Sequence, residues 1–299
     1  MCIKPRLALS LTVLLMMMAT VLYAYNVDDR LLSITQELMA DDSEISLERY
    51  GSMVDGHAIA GIEDNLSGVT YDSDSGHLWV VINAPTKILE LDEEFKVVRS
   101  IELEGFCDTE AIAYAGHGRF VVAEERQQAI NLIEVHDDTE VVNKEQVKSF
   151  TLNTGGCNNK GWEGLAVVRD TGTIYVAREN NPMKILKIDG FLTDENIVVD
   201  DLRDLEMVDH MDMDDFSGMH YNPVSKTLMV LSDDSKLLAE IDKTGHLLSY
   251  KQLDPNLDLT DDVMLQPEGV ASDDKGYLYV VSEPNMVYRY LDQAHREKS

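Results

Sequence analysis

Five copies of one short pattern, spread over residues 67–291, constrain this 299-residue chain more than any other feature. Each copy opens with a polar residue, then glycine or alanine, then an aliphatic: Ser67-Gly68-Val69, Glu110-Ala111-Ile112, Glu163-Gly164-Leu165, Ser217-Gly218-Met219 and Glu268-Gly269-Val270. A turn follows at 72–76, 115–118, 169–172, 222–226 and 273–276. Next comes a β-rich apolar run: LWVVI, RFVVA, TIYVA, LMVLS or YLYVV. Each run leads into a polar residue, Asn83, Glu124, Glu179, Asp233 or Glu283, and after a short loop into a third segment: ILELD, LIEVH, ILKID, LAEID or VYRYL. The copies start 43, 53, 54 and 51 residues apart.

Three strands joined by tight turns and repeated at about 40–50 residues predict the blades of a β-propeller. A parallel α/β fold would need a helix of about 10–15 residues between strands, and the loops are too short for one. The last copy has room for three strands before the tail, so the fourth is expected from ISLERYGSM (45–53), pairing the two ends of the chain. The expectation is an all-β, five-bladed propeller over 45–299. A sixth blade would push the spacing below about 40 residues, the low end of the period.

In such a ring the residue opening strand one and the residue closing strand two lie at the same end of the central channel. That end would gather an inner ring, Ser67, Glu110, Glu163, Ser217 and Glu268, and a neighbouring ring, Asn83, Glu124, Glu179, Asp233 and Glu283. Seven of these ten are carboxylates, and holding them together costs several kcal/mol unless protons or cations offset the charge. An oxygen-only set favours a hard cation; Ca²⁺ accepts about 6–8 oxygens in flexible geometry, whereas Mg²⁺ wants a tight octahedron and zinc prefers nitrogen or sulfur. The expected site is one calcium on Glu110, Glu163 and Glu268, with Asn83, Glu124, Glu179, Asp233 and Glu283 around it. The alternative is a solvated acidic funnel whose carboxylates pair with Arg126 and Arg178.

The motifs DTEAIAY (108–114), FVVAEER (120–126), WEGL (162–165), YVARENNP (175–182), DDFSGMHY (214–221) and the stretch from LQPEGVASD to VVSEPNMVYRY (265–290) resemble the SdiA-regulated family of bacterial envelope proteins. The likeness covers about residues 50–292 and implies a five-bladed propeller with bound calcium, related to NHL-repeat propellers, and no established activity. Propeller lactonases are similar in that a glutamate of a Glu-Gly pair ligates their metal. Glu163 and Glu268 match that pair; Glu110 matches only by repeat position, since Ala111 replaces the glycine.

The N-terminus is different material. Lys4 and Arg6 precede an unbroken apolar run from Leu7 to Ala24, the mark of an export signal or anchor. Cutting after Ala24 would leave bulky Leu22 at position −3, so residues 1–26 are expected to stay as an inner-membrane anchor with the propeller in the periplasm. A cleaved signal is the alternative. Residues 27–44 are expected to be a short helical stalk or linker, on the spacing of Leu31, Leu32, Ile34, Leu38 and Met39. In an oxidising compartment Cys107 and Cys157, on mouth loops of consecutive blades, are expected to pair, with two separate thiols as the alternative.

The formal net charge of −30 repels phosphate backbones, so nucleic acid is excluded as a partner. DSDSG (72–76) begins like an EF-hand loop but misplaces its glycine and reads as a hairpin turn. No GxSxG or HExxH occurs, and His220 is the one candidate base. Two functions follow from these residues. One is a membrane-anchored, calcium-binding module that presents its channel mouth to a small molecule or protein. The other is a calcium-dependent hydrolase of lactones or phosphoesters, with the ion polarising the reacting oxygen.

Overall fold

A computed structural model describes residues 46–152, 161–180, 182–193, 195–202, 213–253 and 264–293. The anchor (1–26), the stalk (27–44) and Cys157 lie outside the described residues, and with Cys157 the pairing expected of Cys107. No helix among the described residues is long and apolar enough to cross a membrane.

After a 3-10 turn at Leu47–Arg49 comes β1 (Tyr50–Ala58). Blade one is β2 (Leu66–Asp72), β3 (His77–Asn83), β4 (Thr86–Leu91) and β5 (Val97–Glu104). Blade two is β6 (Thr109–Gly116), β7 (Arg119–Glu124), β8 (Ala129–Glu134) and, after β9 (Val141–Asn143), β10 (Lys148–Thr151). Blade three runs through β11 (Trp162–Val168), β12 (Thr173–Arg178), β13 (Lys184–Asp189) and β14 (Val198–Leu202). Blade four is β15 (Gly218–Asn222), β16 (Thr227–Ser232), β17 (Leu237–Ile241) and β18 (Leu247–Gln252), and blade five is β19 (Gln266–Ser272), β20 (Tyr277–Glu283) and β21 (Met286–Asp292). The fold is the all-β, five-bladed propeller expected from the repeats: five separate sheets whose four blade strands pair antiparallel, with the innermost strands touching in a closed ring, β2 to β6, β11, β15, β19 and back to β2. β1 completes blade five on β21, as the repeat arithmetic requires, but the strand lies at Tyr50–Ala58, because Leu47–Arg49 turns instead of extending. β9 leaves its own blade and pairs in parallel with β5 of blade one.

The apolar runs are continuous because each second strand is buried on both faces. In β3, Leu78, Val80 and Ile82 pack toward blade five, while Trp79 and Val81 pack toward blade two. In β16, Leu228 and Val230 join blade three, and Met229 and Leu231 join blade five. Among the described residues the five hydrophobic clusters are the five interfaces between blades. The DSDSG segment is the turn between β2 and β3, tied by Asp72, whose Oδ1 accepts from the backbone N–H of Asp74 at 2.8 Å.

The small residue of each repeat exists for the ring. A Cβ added at Gly269 would lie 2.8 Å from the backbone nitrogen of Val69, and one at Gly218 would lie 2.8 Å from the carbonyl oxygen of Glu268. Neither obstacle is a flexible side chain. Gly269→Ala is therefore expected to destabilise the protein by about 1–3 kcal/mol through overpacking, read as a lower urea midpoint. A loss below about 0.5 kcal/mol, the range of neutral surface changes, would contradict this packing.

Candidate metal centre

Strand-one openers reach the channel mouth through a shared irregularity. Leu66 pairs with Ile82 but Gly68 with Val81; Thr109 with Glu124 but Ala111 with Ala123; Trp162 with Arg178 but Gly164 with Ala177; Pro267 with Ser282 but Gly269 with Val281. Ser67, Glu110, Glu163 and Glu268 are thus the extra residues of four β-bulges, a device that re-aims a side chain out of the ladder. The two buried serines turn to backbone: Ser217 Oγ donates to Pro267 O at 2.6 Å and Ser67 Oγ to Asn65 O at 3.3 Å. Glu110, Glu163 and Glu268, all half-buried, supply the charge.

The same register defines the second ring. Its members follow directly on Ile82, Glu124, Arg178 and Ser282, which makes them Asn83, Glu125, Glu179 and Glu283. The backbone bonds repeat accordingly: Asn83 N–H donates to Asn65 O, Glu125 N–H to Asp108 O and Glu179 N–H to Gly161 O. Blade two therefore places Glu125, not Glu124, in this ring. The reason is that Glu124 still belongs to the ladder, paired with Thr109, so the mouth position is the residue after it. Glu124 is fully buried and turns away from the mouth: its Oε2 meets Lys144 Nζ at 2.6 Å and Asn131 Nδ2 at 2.9 Å, and its Oε1 accepts from Cys107 N–H at 2.8 Å.

Two sets of carboxylate oxygens lie within 4.8 Å of one another: Asp108, Glu110 and Glu125; and Glu125, Glu163 and Glu179. Asn83 Nδ2 donates to Glu110 Oε1 at 2.9 Å, and Asn180 Nδ2 to Glu179 Oε1 at 2.9 Å. Gly161 N–H donates to Glu125 Oε1 at 3.1 Å. Asp108 carries an ion pair with Arg126 Nε at 2.8 Å, and Asp233 one with Lys236. Asp215, also buried, accepts from the backbone N–H groups of Asp233 at 3.2 Å and Asp234 at 3.1 Å.

The carboxylates perturb one another across blades. Burial first, then Glu179, Glu268, Glu110 and Glu125, pushes Glu163 well above the usual carboxylate range. Burial, then Asp233, Glu110, Glu283 and Asp215, pushes Glu268 up to about 10. Glu125 is raised to about 7 by burial and Asp108, and Glu110 and Glu283 are raised chiefly by burial. Such a site stores repulsion that a cation would relieve. Three members of it, Asp108, Glu125 and Asp215, escape a reading by repeats. Asp108 and Asp215 stand two residues before an opener, at the spacing that Asn65, Gly161 and Gln266 share, and that spacing is the sequence signal for them.

The shifts fix a pH dependence. Unfolded glutamates ionise near 4.3, so above that pH the folded chain holds protons that the unfolded chain has lost. With a chelator present, stability is expected to fall as pH rises from about 4.3 through about 7, where Glu125 ionises, and on toward about 10, where Glu268 does. Glu163→Gln should flatten that fall. Denaturant melts across this range test it, and stability that rises with pH would contradict the repulsion.

Among solved structures, a luciferin-regenerating enzyme aligns over 81% of this chain and 95% of its own at 16% identity with a TM-score of 0.51. A streptogramin B lyase aligns over 79% of this chain and 72% of its own at 16% identity with a TM-score of 0.44. At 16% identity the first likeness speaks for the fold alone. The SdiA-regulated family matches residues 42–291, and the chain belongs to that family.

Proposed function

We propose that the protein is a calcium-binding propeller that acts as an interaction module, with the ion held at the acidic mouth by Glu110, Glu163 and Glu268. Asn83, Glu125, Glu179, Asp233 and Glu283 complete the oxygen set directly or through water. The observation that carries this reading is geometric: carboxylate oxygens of Glu125, Glu163 and Glu179, from two blades, lie within 4.8 Å of one another, and neighbouring carboxylates add to burial in raising Glu163 and Glu268. A core has no use for such an arrangement, and calcium suits oxygens contributed by separate elements that need not form a tight octahedron. The binding reading is favoured over hydrolysis by the position of His220. It stands three residues beyond Ser217, about 10 Å along the strand, and lines the cavity of the opposite mouth. It is therefore no base for chemistry at the carboxylates.

Calcium that binds only the folded state stabilises it by RT ln(1 + [L]/Kd), about 2.7 kcal/mol at a hundredfold excess over Kd. Thermal unfolding should rise with added Ca²⁺ and fall with chelator. Glu163→Gln should weaken the response, and exposed Glu94→Gln should leave it intact. A melt indifferent to calcium and chelator, with Glu163→Gln more stable than the parent, would sink the site.

Residues 1–26 are proposed to anchor the propeller on the periplasmic side of the inner membrane, supported by Lys4, Arg6 and the apolar run that follows them. The intact mass of the mature protein is expected to include the whole segment. A species beginning at Tyr25 would replace the anchor by a cleaved signal.

A further inference from the structure

The channel does not run open from end to end. Val69, Ile112, Leu165, Met219 and Val270, the aliphatics of the five repeats, are all buried, and the gap they line beside Glu163 and Glu268 is about 10 Å³, room for about one water. Beyond this constriction, at the mouth opposite the carboxylates, lies a cavity of about 190 Å³. Its walls include Tyr71, Tyr114, Arg169, His220 and Ser272, one from each blade, above a floor of Val69, Ile112, Leu165 and Met219. Drug-sized sites run to about 300–1,000 Å³, so this one suits a ligand of about one ring.

Its charged lining is two cations, Arg169 and Lys226, and three acids, Asp170, Asp273 and Asp274. The backbone N–H of Ser272 points at His220 Nε2 (3.2 Å), and Ser272 Oγ lies 2.8 Å from the same atom. Nε2 is thus an acceptor, and the neutral ring carries its proton on Nδ1. Burial and the charge of Arg169 push His220 down to about 4, so the ring stays neutral at physiological pH. Arg169 lies over the Tyr114 ring at 5.7 Å and donates from Nη1 to Ser73 Oγ at 2.5 Å, with the rest of its fork of N–H groups left to offer. The acidic groups around the rim are largely committed. Asp273 Oδ1 accepts from the N–H groups of Lys275 and Tyr277, and its Oδ2 from Tyr279 OH. Asp274 accepts from Tyr71 OH at 2.9 Å, and Asp74 from His117 N–H at 3.2 Å. Asp170, exposed on the rim, disfavours a second negative charge on anything that enters.

We propose that this cavity binds a small monocarboxylate with an apolar body, its carboxylate received by Arg169 and the Nδ1–H of His220, its body on the aliphatic floor among the tyrosine rings. A cation would meet Arg169 and a donor; a neutral ligand would forgo the charge-assisted bond. The site is separate from the acidic mouth and does not rest on calcium.

Benzoate is a suitable probe, titrated calorimetrically into the full-length protein in detergent, with benzamide and benzamidine as neutral and cationic comparators. Benzoate is expected to bind, and benzamide about tenfold more weakly or worse. Arg169→Gln should lose at least about tenfold in affinity, a difference of about 1.4 kcal/mol, while exposed Glu94→Gln, which lines neither mouth, should match the parent. In ¹⁵N-labelled protein the His220 Nδ1 resonance should shift with benzoate, which tests the pose without any substitution. Absent binding, benzamidine binding more tightly than benzoate, an unchanged Kd in Arg169→Gln, or a silent His220 resonance would each overturn the proposal. Calcium titration of the same samples reads the other mouth independently.

Discussion

The constraint on which the mouth depends is backbone against backbone at the centre of the ring. Strand β19 approaches β2, and β15 approaches β19, so nearly that not even a methyl group fits at Gly269 or Gly218. Everything at the mouth follows from that proximity. With the innermost strands at van der Waals contact, residues that open them from different blades fall within each other's fields. Glu110, Glu163 and Glu268 then act as one group, although 53 and 105 residues of chain separate them. A wider ring would let water between them and leave three ordinary surface glutamates.

The packing between blades holds this geometry without help from the mouth. Each second strand shares its side chains alternately between two interfaces, so every blade is buried on both faces and none can be lost without opening two clusters. The repulsion at the centre is therefore sustained by apolar burial further out. Strain kept in a site by surrounding structure in this way is characteristic of places that receive something.

Much of this was legible in the chain. The repeat of polar, small and aliphatic residues identifies the innermost strands, the turn residues identify the hairpins, and the shortage of a fourth strand at the end identifies closure by the other terminus. What the repeat hides is where the ladder slips. Bulges at Ser67, Glu110, Glu163 and Glu268 leave no mark in hydropathy, and the pairing of Thr109 with Glu124 puts Glu125, not Glu124, at the mouth. Two adjacent glutamates look alike in a sequence. Only the Lys144 and Asn131 side chains, brought in by strand pairing, decide which of them turns inward to the blade. Likewise, nothing in the spacing reveals that the five aliphatics seal the channel and divide it into two mouths of opposite chemistry.

The pairing of β1 with β21 has a consequence for the order in which the molecule can be made. Tyr50 meets Asp292, so β1 has no partner until the blades between them have been made. Closing a loop that long is a slow and late event, and an unpaired strand is an invitation to aggregate in the meantime. The composition of β1 answers that hazard. YGSMVDGHA carries two glycines, an aspartate and a histidine, and it stays largely solvent-facing even in the finished ring. A strand so poor in apolar surface can wait in water. It has little to offer a wrong partner, and its β21 neighbour, with Val287, Tyr288 and Tyr290 already buried, supplies the apolar side of the closure.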